Sequence, residues 1–400
     1  MKYIVVLGDG MADEPIDTLG GKTPLEYANT PAMDELASKS EIGMAYTIPE
    51  GMKPGSDTAN LAVLGYNPRK YYTGRSPLEA LSIGVPLNDT DIAIRCNLVT
   101  VSDDSLAYEE KTMIDHSASE ISTEDAAVLL DAVKKELQSD IFKYYVGTSY
   151  RHLLVWDQGE VVDLTPPHDI LGQCMKEFLP HDLALKEMMQ KSYDILNQHP
   201  LNIKRAENGL NKANSIWFWG AGTRPSLTSF TEKTGQKGAM ISAVDLLKGI
   251  AVGASMQVIE VEGADGTLHT NYEGKALAAV KTLLDDGNDF VYVHVEAPDE
   301  MGHQGSIPNK IEAIESLDHK VISIIKDKMD EAGVDYRMLI MPDHPTPIRL
   351  RTHTCEPVPY LLYDSTKEGN YTHRYNEKEA AQSGNVTKEG YLMISKLFQQ

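Results

Sequence analysis

The chain has 400 residues, 42% of them hydrophobic and 24% charged, and carries a net charge of −22 at pH 7. That length holds a large core plus an inserted module, and that acidity excludes a protein that coats DNA or RNA, since no basic surplus exists to neutralise phosphates. A small anionic substrate stays open, because it needs only a local cluster of arginine and metal.

The three cysteines, Cys96, Cys174 and Cys355, form no CxxC pair, which points to a reducing, cytoplasmic compartment and not to a disulfide framework. The start, MKYIVVLGDGMAD, reaches Asp9 too soon for a signal peptide. No apolar run of about 18 residues predicts a membrane span.

In chain order, Tyr3–Leu7 is an apolar, β-branched run that predicts a buried strand, closed by the turn Gly8-Asp9-Gly10. Gly55-Ser56-Asp57-Thr58 opens a helical segment through Leu61–Leu64, which places Ser56 at a helix N-terminus. The stretch Val99–Tyr150 is polar, with a helix over Glu124–Leu137. Arg151–Trp156 and Val161–Leu164 read as a hairpin around Asp157–Glu160, and a helix follows over Leu183–Gln198. The main sheet resumes at Ser215–Trp219. From there helix and strand alternate: a helix at Glu273–Leu284, a strand at Asp289–Val295, a helix from Asn309 to Ala332 and a strand at Tyr336–Met341. Alternation of this kind argues for a parallel sheet with helices on its faces. Residues 106–200 read as a module inserted between 1–105 and 201–400.

Three predicted strands run out into carboxylates, Asp9, Asp299 and Asp343. Ligands of open α/β sheets bind at the carboxyl ends of strands. His303 stands four residues after Asp299 in DEMGH, His344 follows Asp343, and His353 lies in RTHTCEP. Each alone is more often a turn or cap residue than a ligand. Together they form a mixed Asp/His set that suits Zn²⁺ or Mn²⁺ better than the oxygen-loving Ca²⁺ or Mg²⁺, and six such residues can serve two ions. Ser56 is by default a helix cap; beside a metal it is a candidate nucleophile. Arg75, Arg95, Arg151, His152, Arg224 and Lys237 are suited to an anionic ligand, with His168 in PPHD a weaker candidate. Neither a Walker loop nor GxGxxG is present: GGKTP lacks the upstream glycine, and GDGMAD fails at its last position.

In order along the chain, Asp9, GSDTANLAVLGYNP, YYTGRSPLEAL, IRCNLVTV, SYRHLLV, KGAMISAVDLLKGI, DEMGH, PDHPTP and RTHT resemble the archaeal-type 2,3-bisphosphoglycerate-independent phosphoglycerate mutases of the alkaline phosphatase superfamily. The resemblance spans essentially the whole chain. It implies an alkaline-phosphatase-like α/β domain, with a mostly parallel sheet flanked by helices and a smaller inserted α+β cap. It implies one divalent metal ion on Asp9, Ser56, Asp343 and His344, and another on Asp299, His303 and His353. Mn²⁺ and Zn²⁺ are favoured over Mg²⁺, and no 2,3-bisphosphoglycerate is required. Ser56 would be phosphorylated while 3-phosphoglycerate and 2-phosphoglycerate interconvert, and Arg151 and His152 would grip this small phosphorylated carboxylate from the cap. The family often has histidine after GSDTA, where this chain has Asn60. A bacterial branch with segments like WFWGAG and LRTHTCEPVPYLLYD has been proposed to act as homoserine kinase, which makes a homoserine phosphotransferase the alternative reading, followed by a metal-dependent phosphatase or phosphodiesterase.

Overall fold

A computed structural model describes residues 1–399, and the chain forms two compact units. One comprises residues 1–72 and 226 onward, the other residues 73–225. In chain order, β1 (Lys2–Gly8) and β2 (Glu41–Ala45) belong to the first unit. The second holds β3 (Ile92–Val101), β4 (Met113–Asp115), β5 (Phe142–Tyr145), β6 (Arg151–Trp156) and β7 (Ser215–Thr223). The chain then returns to the first with β8 (Gly238–Ile241), β9 (Gln257–Ile259), β10 (Phe290–Val295), β11 (Tyr336–Met341), β12 (Val358–Asp364) and β13 (Val386–Thr387).

The first unit is built on an eight-stranded sheet in the order β13-β2-β12-β11-β1-β10-β8-β9. Its centre is parallel: β1 pairs with both β10 and β11, and β10 with β8. Only β12 runs antiparallel to its neighbours. This is the α/β architecture with a mostly parallel sheet that the alternating pattern predicts. Ile4, Val5, Val6 and Leu7 of β1 are wholly buried, as a strand covered by helices on both faces must be.

The long helix expected over 309–332 is interrupted. Ile307–Leu317 and Ser323–Ala332 are α-helical, and Asp318–Ile322 between them is a π-helical turn. The buried Asp318 carboxylate accepts the backbone N–H groups of Ala32 (3.2 Å) and Met33 (2.7 Å), at the start of the Pro31–Ala37 helix. A wider turn that lets a carboxylate reach another helix's orphan donors is a physical cause for the bulge.

The second unit is an antiparallel sheet in the order β4-β3-β6-β5, with β7 on the other side of β3. It is wider than the 106–200 expected. β3 is buried along its whole length and pairs with both β6 and β7, so the segments flanking the polar stretch are bound into this unit and not into the main sheet. Two local readings are corrected. Ser215–Trp219 opens β7 of this second sheet. Val161–Leu164 forms no strand, and β5 takes its place beside β6. Among the described residues no helix is long and apolar enough to cross a membrane.

Candidate metal centre

The three carboxylates arrive from three adjacent strands. Asp9 follows β1, Asp343 follows β11 by two residues, and Asp299 sits on the helix Ala297–Gln304 that follows β10. All lie at the carboxyl edge of the parallel sheet, where the sequence pattern put them. One turn along that helix, His303 shares the face of Asp299. The turn between Asp9 and its neighbours needs glycine: Gly10 has φ +58, and a Cβ there would stand 2.5 Å from Asp299 Oδ1.

Ser56 begins the Ser56–Val63 helix, and the preceding cap residue is Gly55. Its hydroxyl is therefore not used as a cap; it lies 3.1 Å from His344 Nε2. Asp57 is the structural residue here: its carboxylate accepts from Thr58 N–H (2.8 Å) and the Tyr72 hydroxyl (2.7 Å).

His344 Nε2 lies 3.5 Å from Asp9 Oδ1 and 3.4 Å from Asp343 Oδ2. Asp9, Asp343 and His344 form one group of converging ligand atoms, and Asp299, His344 and His353 another. His303 Nε2 is 3.2 Å from Asp299 Oδ2 and 3.0 Å from His353 Nε2, and His353 Nε2 is 3.4 Å from Asp299 Oδ1. Bonds of about 2.0–2.2 Å to a tetrahedral ion separate its ligand atoms by roughly 3.3–3.6 Å, so the 3.4 and 3.5 Å spacings match such an ion and the two His303 contacts are slightly closer. The structure thus brings together all seven residues predicted as ligands, with His344 shared between the two groups.

Electrostatics point the same way. Burial, then the charges of Asp343 and Asp299, push Asp9 well above the usual carboxylate range. Asp9 Oδ1 is buried and receives no hydrogen bond. Burial alone would raise Asp299 too, but hydrogen bonds from His303 and His353 outweigh it and hold Asp299 well below the usual range. A buried acidic cluster of this kind is matched by a cation.

Several supports were not legible in the sequence. His294 is kept neutral by burial, which depresses it to about 3; its Nε2 donates to Asp9 Oδ2 at 2.9 Å, and its Nδ1 faces the Ser242 hydroxyl at 3.2 Å. The carbonyl of Arg351, which has φ +56, lies 2.9 Å from His303 Nδ1. A carbonyl can only accept, so Nδ1 keeps its proton in the neutral ring, and Nε2 is the nitrogen that would face a metal once the ring has lost its second proton. Lys310 Nζ, fully buried, donates to Asp13 Oδ2 (2.7 Å) and the Thr346 carbonyl (2.8 Å), tying the loop after Asp9 to the loop after His344. The one sequence signal available was His294, a histidine inside the apolar run DFVYVHV.

The second unit divides the predicted anion-binding residues. Arg151 lies opposite Asn97, and His152 opposite Cys96. Consecutive strand residues face opposite sides, so Arg151 shares the face of Arg95 while His152 turns into the core. Glu79 holds Arg75 at 3.0 Å and Arg95 at 2.7 Å, and Arg95 lies over the Trp219 ring. His168 and His116 continue from Trp219 to Tyr150, with ring centroids 5.4, 6.1 and 5.7 Å apart in turn. Arg151 lies over Tyr150. Burial, and then the cations around it, lower the pKa of His168. His116 was missed by sequence reasoning. It is presented by a loop in which Ala118, Ser119 and Glu120 all have positive φ, a strained arrangement that the Asp115 carboxylate stabilises by collecting the Ser117 and Ser119 N–H groups.

Two candidates fall elsewhere. Arg224 is exposed and pairs with Asp89 at 3.1 Å. Lys237 is exposed just before β8, at the amino end of that parallel strand and thus at the opposite sheet edge from Asp9.

Burial depresses His152 to about 3, against 6.5 for the unfolded group. Its stabilising neutrality is intact above pH 6.5 and is lost as pH falls toward 3, at a cost of about 2 kcal/mol by pH 5. His152→Gln should reduce the acid loss of unfolding free energy between pH 7 and pH 5 by that amount in urea titrations; an unchanged slope would place the proton elsewhere.

A family model described as 2,3-bisphosphoglycerate-independent phosphoglycerate mutase matches residues 37–202. A Methanosarcina barkeri protein of that name is 47% identical, over 96% of each chain. A Methanothermobacter thermautotrophicus protein named 2,3-bisphosphoglycerate-independent phosphoglycerate mutase 2 is 42% identical, over 98% of this chain and 96% of its own. Among solved structures, the PH0037 protein of Pyrococcus horikoshii superposes with a TM-score of 0.82 at 32% identity, over 99% of this chain and 96% of that one. The cofactor-independent phosphoglycerate mutase of Thermoplasma acidophilum gives 0.65 at 27%, over 100% and 99%.

Proposed function

The chain belongs to the 2,3-bisphosphoglycerate-independent phosphoglycerate mutases, and we propose that it works through a phosphoserine: it interconverts 3-phosphoglycerate and 2-phosphoglycerate, with Ser56 carrying the phosphoryl group between the two hydroxyls. The observation that carries the reading is the uncapped Ser56 hydroxyl, 3.1 Å from His344 Nε2 amid the converging carboxylates and histidines.

The seven residues would hold two divalent cations, Mn²⁺ or Zn²⁺ before Mg²⁺, whose chemistry is to lower the pKa of the Ser56 hydroxyl and to neutralise charge on the phosphoryl oxygens. Ser56 Oγ attacks phosphorus as its proton departs; the bond from phosphorus to the glycerate oxygen breaks, and that oxygen takes a proton. The backbone N–H groups of Ser56 and Asp57, at the start of the Ser56–Val63 helix, favour the transferring negative charge. The bound glycerate then turns, its other hydroxyl attacks the phosphoserine, and Ser56 regains its proton. Water must be kept from the phosphoserine throughout, or hydrolysis replaces isomerisation.

Arg75, Arg95 and Arg151, with His116 and His168 beside them, are the proposed grip for the substrate's carboxylate. Arg151 is exposed, so Arg151→Ala should leave folding intact while removing a charge-assisted contact, lowering kcat/KM by about 10–100-fold. Unchanged kcat/KM would remove Arg151 from the grip.

A cytoplasmic setting is part of the same reading, and the three free cysteines support it. The deciding experiment follows 3-phosphoglycerate by coupling to enolase, with Mn²⁺ and without 2,3-bisphosphoglycerate. Isomerisation is expected. ATP-dependent formation of O-phosphohomoserine, or release of inorganic phosphate, in its place would overturn the reading.

A further inference from the structure

Asn60 is fully buried one helical turn after Ser56, and each polar atom of its side chain is engaged. Nδ2 donates to the Ser56 carbonyl and to Asp343 Oδ2, both at 2.8 Å. Oδ1 accepts the hydroxyl of Tyr292 at 2.5 Å, and Tyr292 is itself fully buried on β10. The amide cannot be turned over, because that would set Oδ1 against a carbonyl and a carboxylate with no proton between them. The other oxygen of Asp343 accepts the N–H groups of Gly10 (3.1 Å) and His344 (2.9 Å). Asp343 is therefore oriented by three donors. Asn60 is the one that also ties it to the residue bearing the nucleophile.

A buried amide could serve only to satisfy buried neighbours. The partners argue for more. Ser56 starts one helix, Asp343 lies just past the end of β11 and Tyr292 lies on β10, so a single side chain fixes the separation of three elements that meet at the site. Small displacements there are costly, because partners that orient metal ligands are worth about 10–100-fold in metal affinity or activity.

We propose that Asn60, clamped by Tyr292, is a positioning residue that holds the Asp343 carboxylate and the Ser56 helix in register. It thereby sets both the divalent-cation affinity of the Asp9, Asp343 and His344 group and the rate of attack by Ser56. The inference rests on the reading of Asp343 as a metal ligand. Histidine at this position is compatible with the role, since its two ring nitrogens, like the amide's nitrogen and oxygen, are separated by one carbon and can donate to Asp343 while accepting from Tyr292.

The test titrates the full-length protein with Mn²⁺, reading free Mn²⁺ by electron paramagnetic resonance, and measures kcat and KM at saturating Mn²⁺. Asn60→Leu should bind Mn²⁺ about 10–100-fold more weakly and lose kcat at least tenfold with little change in KM. Tyr292→Phe, which frees the amide without removing it, should weaken binding less, and Asn60→His should recover most of the affinity. Asp343→Ala separates the two levels of the argument: Mn²⁺ affinity retained in that variant would sink the ligand reading itself. Affinity lost in Asp343→Ala but kept in both Asn60→Leu and Tyr292→Phe would overturn the positioning role. Should Asn60→Leu not fold, Tyr292→Phe decides alone, and an unchanged Mn²⁺ affinity there overturns it.

Discussion

Ser56→Ala is expected to lower kcat by on the order of 10⁴–10⁶-fold while leaving Mn²⁺ binding within about tenfold of the parent. The reaction needs an acceptor for the phosphoryl group, and the Ser56 hydroxyl is the side-chain nucleophile beside His344 Nε2, at 3.1 Å. The neighbouring Asp57 cannot replace it, because Thr58 and Tyr72 occupy its carboxylate. Binding, by contrast, would draw mainly on Asp9, Asp343 and His344, whose ligand atoms converge without the serine and which the substitution leaves in place. Stopped-flow turnover and Mn²⁺ titration on the same preparation separate the two. Turnover retained at a tenth of the parent rate would dismiss Ser56 as nucleophile. Turnover and metal lost together would show that the serine oxygen is needed chiefly to hold an ion. Acid quenching of the parent enzyme with substrate, followed by peptide mass analysis, should find the phosphate on Ser56.

The three carboxylates of the candidate metal site are legible because each sits where one strong pattern breaks. IVVLG, FVYVHV and YRMLIM are apolar runs, and a carboxylate soon after such a run stands out. A parallel sheet carries all such run-outs to one edge, so three separate residues became one site. The limits of the second unit were not legible. β3 reads as a continuation of the main domain until its partners β6 and β7 are known, and no local pattern announces pairing with strands that distant in sequence. Arg151 and His152 are neighbours in the sequence, but the period of a strand puts them on opposite faces, so only one of the two can share the face of Arg95. Lys237 lies between Gln236 and Gly238, and only the direction of β8 shows that it falls at the edge opposite Asp9. The Lys310, Thr346 and Asn60 contacts depend on side chains of separate elements meeting in the interior. Periodicity reports that a residue faces inward, but not what it meets there.

Stripping the protein of divalent metal should abolish activity and lower its melting temperature, and Mn²⁺ should restore both. An ion present at a hundredfold excess over its Kd stabilises the native state by about 2.7 kcal/mol. In domains of about 150–250 residues each kcal/mol is worth roughly 2–4 °C, so a shift of several degrees per ion is expected in scanning calorimetry. Protons must move as well. Without a cation, burial and the charges of Asp343 and Asp299 favour a proton on Asp9. His303 is affected in the opposite sense to burial: its hydrogen bond and attraction to Asp299 raise it to about 9, so it is charged at neutral pH. Both groups must give up their protons to become ligands. Mn²⁺ binding near pH 7.5 should therefore release protons, seen as a binding enthalpy that depends on the ionisation enthalpy of the buffer. A binding enthalpy independent of buffer would mean that these groups are already deprotonated or do not bind the ion. An unchanged melting temperature after chelation would mean that the buried carboxylates need no cation, and the two-metal reading would fall with it.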